Sequence, residues 1–371
     1  MRVLLLGGYG NFGALIAREL ARDADMILVV AGRNAESAKA FAARLVSPGG
    51  VTATMLDIDA PDFAMQLAAL APDLVIHTCG PFQGSGYRVA SAALAASAHY
   101  IDLADARAFV AGIDALDAKA REANCLVVSG ASTVPGLSAA VIDRYRVEFG
   151  ALTDIDIGIS PGNRTPRGLA TVAAILSYVG RPLNMWKNGQ PHNVFGWQDL
   201  RGERYPAPVG TRWLGNCDVP DLTLFPQRYP GLKSLRFGAG LELGLLHLGL
   251  WLLSWPARWC LLPRLDRWAR ALKRISEWFL ARGSDAGAMH VRLTGSAIDG
   301  NPLTLTWILI AGSGHGPQVP ATAAVVLARK LARGQLPARG ATPCLDLFNL
   351  DEFLAALGDY DIRIQVQRGR R

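Results

Sequence analysis

The sequence lacks the features that mark a secreted, disulfide-bonded or zinc-binding protein. Its five cysteines are scattered and no two have the CxxC spacing, so we expect neither a disulfide framework nor a metal site. The first apolar segment, Val3–Leu6, is too short for a signal peptide, and no small-residue cleavage site follows it. These absences predict an intracellular, cytoplasmic protein that holds no metal.

Charged residues are also scarce. Only 19% of the 371 residues are charged and 50% are hydrophobic, which excludes a disordered tail protein. This length predicts two domains, at least one of them with a large core. The net charge of +7 favours an anionic partner, either phosphates, nucleic acid or an anionic membrane, and composition does not choose among them.

Predicted strands and helices alternate over the first 130 residues. Strand-like runs are separated by segments with helical spacing, and they lie at 3–6, 26–31, 51–56, 74–78, 100–103 and 125–129. The first run is fully apolar, as is typical of a buried parallel strand. This succession predicts an α/β fold with a doubly wound parallel sheet of the Rossmann type over residues 1–150. Such sheets bind ligands at the carboxyl ends of their strands, where the strand order reverses.

A glycine-rich turn directly follows the first predicted strand. Gly8, Gly10 and Gly13 fit the pattern G-x-G-x-x-G. The first glycine permits a tight turn, the second lets the backbone approach a pyrophosphate, and the third allows the helix to pack closely on the strand. Because the pattern stands between a predicted strand and a predicted helix, we predict a dinucleotide site, the alternative being a structural turn.

Residues after the second and third strands indicate which dinucleotide binds. Arg33 stands where an NAD enzyme usually has an acidic residue, and its guanidinium can pair with a 2′-phosphate. We therefore predict NADP rather than NAD, the alternative being an arginine that only faces solvent. After the third strand, Asp57 can accept a hydrogen bond from the adenine amino group while Ile58 packs on the ring. Alternatively, or in addition, Asp57 or Asp59 caps the next helix, since Pro61 suits its first turn.

The turn after the fourth strand is predicted to lie beside the nicotinamide. Gly80 allows close backbone approach there, Pro81 stiffens the turn, and Phe82 completes it. His77 precedes this turn within an apolar strand, so we expect a core histidine rather than a catalytic one.

Three residues are candidates for catalysis. Tyr87 is predicted at the start of a helix, from which its hydroxyl can point at the substrate. Asp102 ends the fifth strand and can accept a proton. His315 lies in the Gly-rich segment 312–316, which is either a flexible loop that brings an acid-base group to the substrate or a plain turn.

Taken together, these motifs resemble the saccharopine dehydrogenase family. The likeness rests on Gly-Gly-Tyr-Gly-Asn-Phe-Gly at 7–13, Ala-Gly-Arg at 31–33, Gly-Pro-Phe at 80–82, Tyr-Ile-Asp-Leu at 100–103 and the stretch 129–136, and it covers residues 1–145 best. It implies a Rossmann domain that uses NADP(H) or NAD(H), an oxidoreductase activity, and an α+β domain for substrate binding and dimerisation. It also implies that Asn11 and Phe12 contact the cofactor. Asn34, which follows Arg33, is a further cofactor-binding candidate.

Residues 151–318 are predicted to form that α+β domain. Alternation at Ile155, Ile157 and Ile159 indicates a half-buried strand, and residues 289–298 and 303–311 indicate a hairpin. The Pro-, Trp- and Gly-rich stretch 181–229 predicts only short strands and loops. For residues 319–371 we expect C-terminal helices that pack back on the Rossmann domain.

Segment 241–282 is unusual for a soluble enzyme. Leu243–Trp255 contains no charged residue but is too short to span a bilayer. Arg264–Arg282 is predicted to form a basic amphipathic helix, whose apolar stripe comprises Leu265, Trp268, Leu272, Ile275 and Phe279. This hydrophobic helical hairpin predicts a membrane-surface anchor, a homodimer interface or a lid over an apolar pocket. Nucleic-acid binding is not expected, because the tryptophans lie on the apolar stripe rather than among the charges.

The leading hypothesis is an NADP-dependent oxidoreductase that acts on a carbonyl, imine or activated double bond of a small molecule. Arg164, Arg167 and Arg204 are the candidates for binding substrate carboxylates, whereas the apolar segment favours a less polar substrate than saccharopine. The alternative is a non-catalytic NADP-binding sensor or membrane-surface scaffold.

Overall fold

The computed structural model describes residues 1–336 and 339–369, which divide into two compact units. The first unit combines Met1–Leu137 with Gln318–Ala356. The second combines Ser138–Pro317 with the chain from Leu357 onward. Each unit is built on a β-sheet of its own.

The first unit is a parallel sheet with helices in the connections between its strands. Its strands are β1 (Arg2–Leu6), β2 (Ile27–Gly32), β3 (Val51–Met55), β4 (Leu74–His77), β5 (His99–Asp102), β6 (Leu126–Ser129) and β15 (Gly340–Pro343). Its helices are α1 (Asn11–Leu20), α2 (Ala35–Ala42), α3 (Phe63–Ala69), α4 (Arg88–Ala95), α5 (Arg107–Ala111), α6 (Asp117–Glu122), α12 (Gln318–Ala332) and α13 (Leu350–Ala355).

The strand order is β15-β6-β5-β4-β1-β2-β3, and every paired strand is parallel. The predicted Rossmann-type sheet is therefore confirmed. Residues Val3–Leu6 of β1 are fully buried, as expected of a central strand whose two faces are both covered. The order reverses next to β1, so the carboxyl ends of β1 and β4 frame the position where such sheets bind ligands.

The second unit is a mixed sheet with helices. Its strands are β7 (Phe149–Ser160), β8 (Pro182–Lys187), β9 (Gln190–Phe195), β10 (Arg201–Arg204), β11 (Thr211–Asn216), β12 (Ser234–Ala239), β13 (Gly287–Ala297), β14 (Pro302–Ala311) and β16 (Ile362–Gly369). Its helices are α7 (Ser138–Tyr145), α8 (Leu169–Tyr178), α9 (Asp221–Arg228), α10 (Gly244–Arg258) and α11 (Ala269–Glu277), with a 3-10 turn at Leu265–Trp268.

The strand order in this sheet is β10-β11-β12-β7-β13-β14-β16, with β8 and β9 attached beside β12. The predicted hairpin is confirmed, because β13 and β14 pair antiparallel along their full length. The predicted second α+β unit with apolar helices is confirmed as well. In the β13–β14 pair, Val291, Leu293 and Trp307 are fully buried, whereas their neighbours His290, Arg292 and Thr306 carry polar side chains.

Three sequence-based expectations need correction. Stretch 181–229 contains the helix α9, which the sequence hides because it carries Pro226. The predicted basic helix over 264–282 is shorter, because a 3-10 turn precedes α11 and the helix ends at Glu277. The chain end is not helical: β16 pairs with β14, so residues from 357 onward belong to the second unit.

Candidate dinucleotide site

Close backbone packing shapes the glycine turn between β1 and α1. Gly7 has a φ of +74°, a conformation that favours glycine, and the sequence pattern had not singled it out. A Cβ atom on Gly13 would lie 2.2 Å from the carbonyl oxygen of Gly7, and one on Gly8 would lie 2.9 Å from that of Leu5. Side chains are therefore excluded from both positions, as a turn that brings helix and strand together requires.

The N-terminus of α1 presents free donors above this turn. The N–H groups in the first turn of a helix have no hydrogen-bond partner within the helix. Gly10, the N-cap residue of α1, has no side chain that could accept a hydrogen bond from them. Asn11 is exposed and Phe12 half-buried, so the first turn is open to solvent. Because helix N-termini attract anions, the turn fits a pyrophosphate, and Asn11, Phe12 and Gly13 are the residues that would hold it.

The end of β2 faces the same turn. The Tyr9 ring covers Gly32, where a Cβ atom would lie only 2.5 Å from it, and the Tyr9 hydroxyl accepts a hydrogen bond from the Asn34 backbone N–H at 3.0 Å. Sequence reasoning missed this role of Tyr9. The Asn34 side chain accepts from the Ser37 N–H at 2.8 Å and caps α2, so its oxygen is already used within the protein.

Arg33 is exposed between these two residues. Within the described residues, no carboxylate forms an ion pair with its guanidinium. Burial raises the pKa of the Cys79 thiol, at the end of β4, to about 12, and the positive charge of Arg33 opposes that shift. The unpaired charge therefore acts at the carboxyl edge of the sheet, where a 2′-phosphate is expected.

Asp57 and Ile58 follow β3 at the same edge. Asp57 accepts a hydrogen bond from the Asp59 N–H at 3.1 Å and thereby forms a local turn. The predicted alternative role as a helix cap is wrong, because α3 begins at Phe63 and its N-cap residue is Asp62. Ile58 is half-buried against the core of the first unit, so an apolar surface is present next to the turn.

The turn after β4 is fastened to the glycine turn. Thr78 Oγ1 donates to the carbonyl oxygens of Leu6 and Gly7, at 2.9 and 3.3 Å. Gly80 is half-buried and Pro81 exposed, whereas Phe82 is buried. The backbone at Gly80–Pro81 is thus the part of this turn that a ligand can reach, whereas the buried Phe82 side chain anchors the turn to the protein.

Phe82 packs into an aromatic cluster below the turn. Its ring lies 5.0 Å from His77 and 5.2 Å from Phe109, measured between centroids. His77 Nδ1 lies 2.9 Å from the Tyr100 hydroxyl. Burial lowers the pKa of His77 to about 4, so the imidazole is neutral at pH 7. The expectation of a core histidine is confirmed.

Asp102, predicted to accept a proton, is fully buried. One carboxylate oxygen accepts hydrogen bonds from the Ala104 N–H, the Ser129 hydroxyl and the Gly130 N–H, all at 2.9 Å. Burial raises the pKa of Asp102 to about 6, although these hydrogen bonds oppose the shift. Its observed role is to tie together the loops that follow β5 and β6.

Tyr87 and His315 are also engaged with the protein itself. The Tyr87 hydroxyl donates to the Phe109 carbonyl at 2.7 Å, so its proton is not directed at a ligand as predicted. His315 Nδ1 accepts from the Asp361 N–H at 3.0 Å, and the Gly312 N–H donates to the Asp361 carbonyl at 2.9 Å. Segment 312–316 is therefore a fixed turn rather than a flexible loop.

A cluster of arginines in the second unit was not anticipated from the sequence. Arg201, Arg236 and Arg292 all contact Asp156, at 3.0 to 3.1 Å, and Arg292 also pairs with Glu203. Burial opposes ionisation of Asp156, but the nearby His290, whose Nε2 lies 3.8 Å from the carboxylate, and the charge of Arg201 hold its pKa below the ordinary range. His290 lies close enough to both carboxylates to form a candidate cation site, yet the guanidinium groups already supply the balancing positive charge.

The segment around α10 and α11 exposes several large apolar side chains. Trp278, Leu261 and Trp259 are 79%, 72% and 61% exposed. Between Pro256 and Arg282 there are seven basic and two acidic residues. No helix in the described part of the chain is both long enough and apolar enough to cross a bilayer.

Comparison with known proteins agrees with this geometry. A family model described as the saccharopine dehydrogenase NADP binding domain matches residues 3–128. The resemblance seen in the sequence motifs is thereby confirmed, and the saccharopine dehydrogenase-type domain contains the glycine turn, Arg33 and the Gly80–Phe82 turn. A comparison with curated protein sequences gives no match.

Solved structures extend the likeness to the whole fold. The apo form of histidine-tagged saccharopine dehydrogenase (L-Glu forming) from Saccharomyces cerevisiae covers 99% of both chains with a TM-score of 0.71 at 15% identity. An amine dehydrogenase from Mycobacterium smegmatis covers 92% of this chain and 94% of its own, with a TM-score of 0.46 at 10% identity. The similarity to the yeast enzyme, at 15% identity, shows a shared fold.

Proposed function

We propose that the protein is an NADP-dependent oxidoreductase acting on a carbonyl, an imine or an activated double bond. The observation that carries this proposal is the unpaired, exposed guanidinium of Arg33 beside a glycine turn that side chains cannot enter. When bound, the nicotinamide cofactor supplies or accepts the hydride.

The residues of the first unit would contribute binding and orientation. The first-turn amides of α1 face the pyrophosphate, Arg33 pairs with the 2′-phosphate, and the Gly80–Pro81 backbone lies beside the nicotinamide. Thr78 fastens the turn that carries Gly80 and Pro81 to the glycine turn. Because the cofactor carries the hydride chemistry, positioning would account for most of the rate enhancement.

Cofactor choice is tested by measuring the dissociation constants of NADPH and NADH for the Arg33→Ala variant. We expect the NADPH constant to rise about 10- to 100-fold, because a charge-assisted pair is lost, and the NADH constant to stay unchanged. Arg44→Ala is the matched control, since Arg44 is also exposed but bonds the Ala40 carbonyl. Equal losses for both cofactors would remove Arg33 from the phosphate site.

Activity is tested by following the absorbance of the reduced cofactor over a panel of aldehydes, ketones, imines and enoyl compounds, including saccharopine. Turnover of one class identifies the substrate type. If NADPH binds tightly and no class is turned over, the alternative gains support, namely a non-catalytic NADP-binding sensor or scaffold.

We also propose that the exposed surface of α10, α11 and their connection contacts an anionic membrane. The surface combines exposed tryptophans with an excess of five positive charges, which complements anionic lipid headgroups. The alternative occupant is a second copy of this chain. Sedimentation with anionic vesicles and analytical ultracentrifugation distinguish the two, because only a dimer changes mass without lipid.

A further inference from the structure

A cavity of about 220 Å³ lies among the helices α8, α10 and α11 of the second unit. Its walls are almost entirely leucine, isoleucine and valine, contributed by Val172, Ile175, Leu176, Leu246, Leu250 and Leu253 among others. Ser276 also lines it, but its hydroxyl donates to the Lys273 carbonyl at 2.7 Å and is therefore satisfied. Such a cavity favours an apolar ligand over water, since a water molecule would find few hydrogen-bond partners there.

Part of the wall is open to solvent. Leu245 and Ile275, which both line the cavity, are 67% and 42% exposed. Gly249 also faces the cavity from α10, and a Cβ atom placed on it would meet nothing within 4 Å. The space is therefore accessible and is not closed by packing of the chain's own side chains.

Arg167 is the one charged residue in the described lining. Its Nη2 donates to the backbone and side-chain oxygens of Asn163, both at 2.8 Å, and within the described residues it forms no ion pair. Glu242, whose negative charge acts on Arg167, forms its ion pair with Arg212 at 3.1 Å. A half-buried cation without a carboxylate partner, next to an apolar cavity, favours a ligand with one acidic end.

We propose that this cavity binds the aliphatic chain of an anionic amphiphile such as a free fatty acid, with the acidic group at Arg167. The chain fills the space between the three helices, and the carboxylate supplies the ion-pair partner that Arg167 lacks. This ligand site goes beyond the proposed redox function and is independent of cofactor binding.

The test uses the full-length protein without nicotinamide cofactor, titrated with dodecanoate below its micelle concentration in a calorimeter. Dodecanol, which has the same chain without the charge, is titrated in parallel. We expect both to bind, with dodecanoate the tighter. If neither dodecanoate nor dodecanol binds, the proposal is wrong, whatever the outcome of the redox assays.

Two variants locate the ligand. Gly249→Phe fills the cavity and should abolish binding of both compounds, whereas Leu252→Ala, on the exposed side of the same helix, should change neither. Arg167→Gln should weaken dodecanoate about tenfold and leave dodecanol unchanged, whereas Arg164→Gln should weaken neither. Unchanged binding in the Gly249→Phe variant, with circular dichroism showing a folded protein, would place the ligand elsewhere. An Arg167→Gln variant that binds dodecanoate normally would refute the contact with the acidic group.

Discussion

Two helices of this chain contain a glycine whose surroundings are opposite. In α1, a Cβ atom on Gly13 would lie 2.2 Å from the Gly7 carbonyl oxygen, whereas in α10 a Cβ atom on Gly249 would meet nothing. The first glycine allows backbone groups to approach one another, and the second leaves space among apolar side chains. The two regions therefore bind by different means, the first through backbone donors and the second through unfilled apolar volume.

The largest expected effect comes from closing the first of these sites. Gly13→Ala forces the added methyl group against the Gly7 carbonyl, so the turn must open, and we expect NADPH affinity to fall about 100-fold. Fluorescence titration of NADPH measures this. Gly86→Ala is the matched control, because a Cβ atom there meets nothing within 4 Å. If Gly13→Ala binds NADPH like the native protein, the turn does not hold the pyrophosphate.

Much of the first region was predictable because its signals are local. A buried parallel strand is a continuous apolar run, and the glycines that follow β1 must be close in sequence to form one turn. The hairpin β13–β14 was equally accessible, since Asp299, Gly300 and Asn301 form its turn. Each of these features is decided within about ten residues of chain.

The remaining features depend on contacts between distant residues. Nothing next to Asp102 in the sequence shows that Ser129 and Gly130 donate to it, and the arginines around Asp156 come from three separate strands. An acid-base candidate in the sequence can therefore be a buried residue that joins two loops. The alternation of Ile362, Ile364 and Val366 was a readable signal for β16, but a helical expectation for the chain end obscured it.

Buried carboxylates give the two regions opposite responses to pH. Burial raises the pKa of Asp102 from 3.8 to about 6, so the folded protein keeps this proton at a pH where the unfolded chain has lost it. Ionisation of Asp102 therefore lowers the free energy of unfolding. This penalty grows from about pH 4 to pH 6 and stays constant at higher pH. Asp102→Asn, which keeps an acceptor oxygen, should raise the free energy of unfolding at pH 8 by about 2–3 kcal/mol and leave it unchanged near pH 4.

Glu242, which precedes α10, supplies the contrast for that measurement. Burial opposes its ionisation, but bonds from the Asn163 and Ser284 backbone hold its pKa below the ordinary value. Glu242→Gln should therefore destabilise the protein most near neutral pH, and the difference should shrink as the pH falls through the range where the carboxyl is protonated. Urea denaturation at several pH values measures both variants. Parallel pH profiles for the two substitutions would contradict the assignment.

A smaller effect is expected on the outer surface of the apolar region. Replacing Trp259 and Trp278 together by serine should weaken binding to anionic vesicles about tenfold, because two exposed interfacial anchors are lost, and should leave NADPH affinity unchanged. Vesicle sedimentation at low salt measures this. Val46→Ser, a change at a 92% exposed apolar residue of the first unit, is the control. Vesicle binding that survives the double substitution would exclude this surface as the lipid contact.

The smallest effect is expected when the glycine-to-alanine substitution that should disrupt the turn before α1 is made in α10 instead. Gly249→Ala places a methyl group in open space and removes the conformational freedom of a glycine inside a helix, so we expect stability to rise by about 0.5–1 kcal/mol. Chemical denaturation measures the change, and Gly244→Ala, at the first residue of α10, should matter less because it lies outside the helix interior. A loss of stability in Gly249→Ala would mean that the space beside Gly249 is filled in solution, and the cavity could then not accept an aliphatic chain.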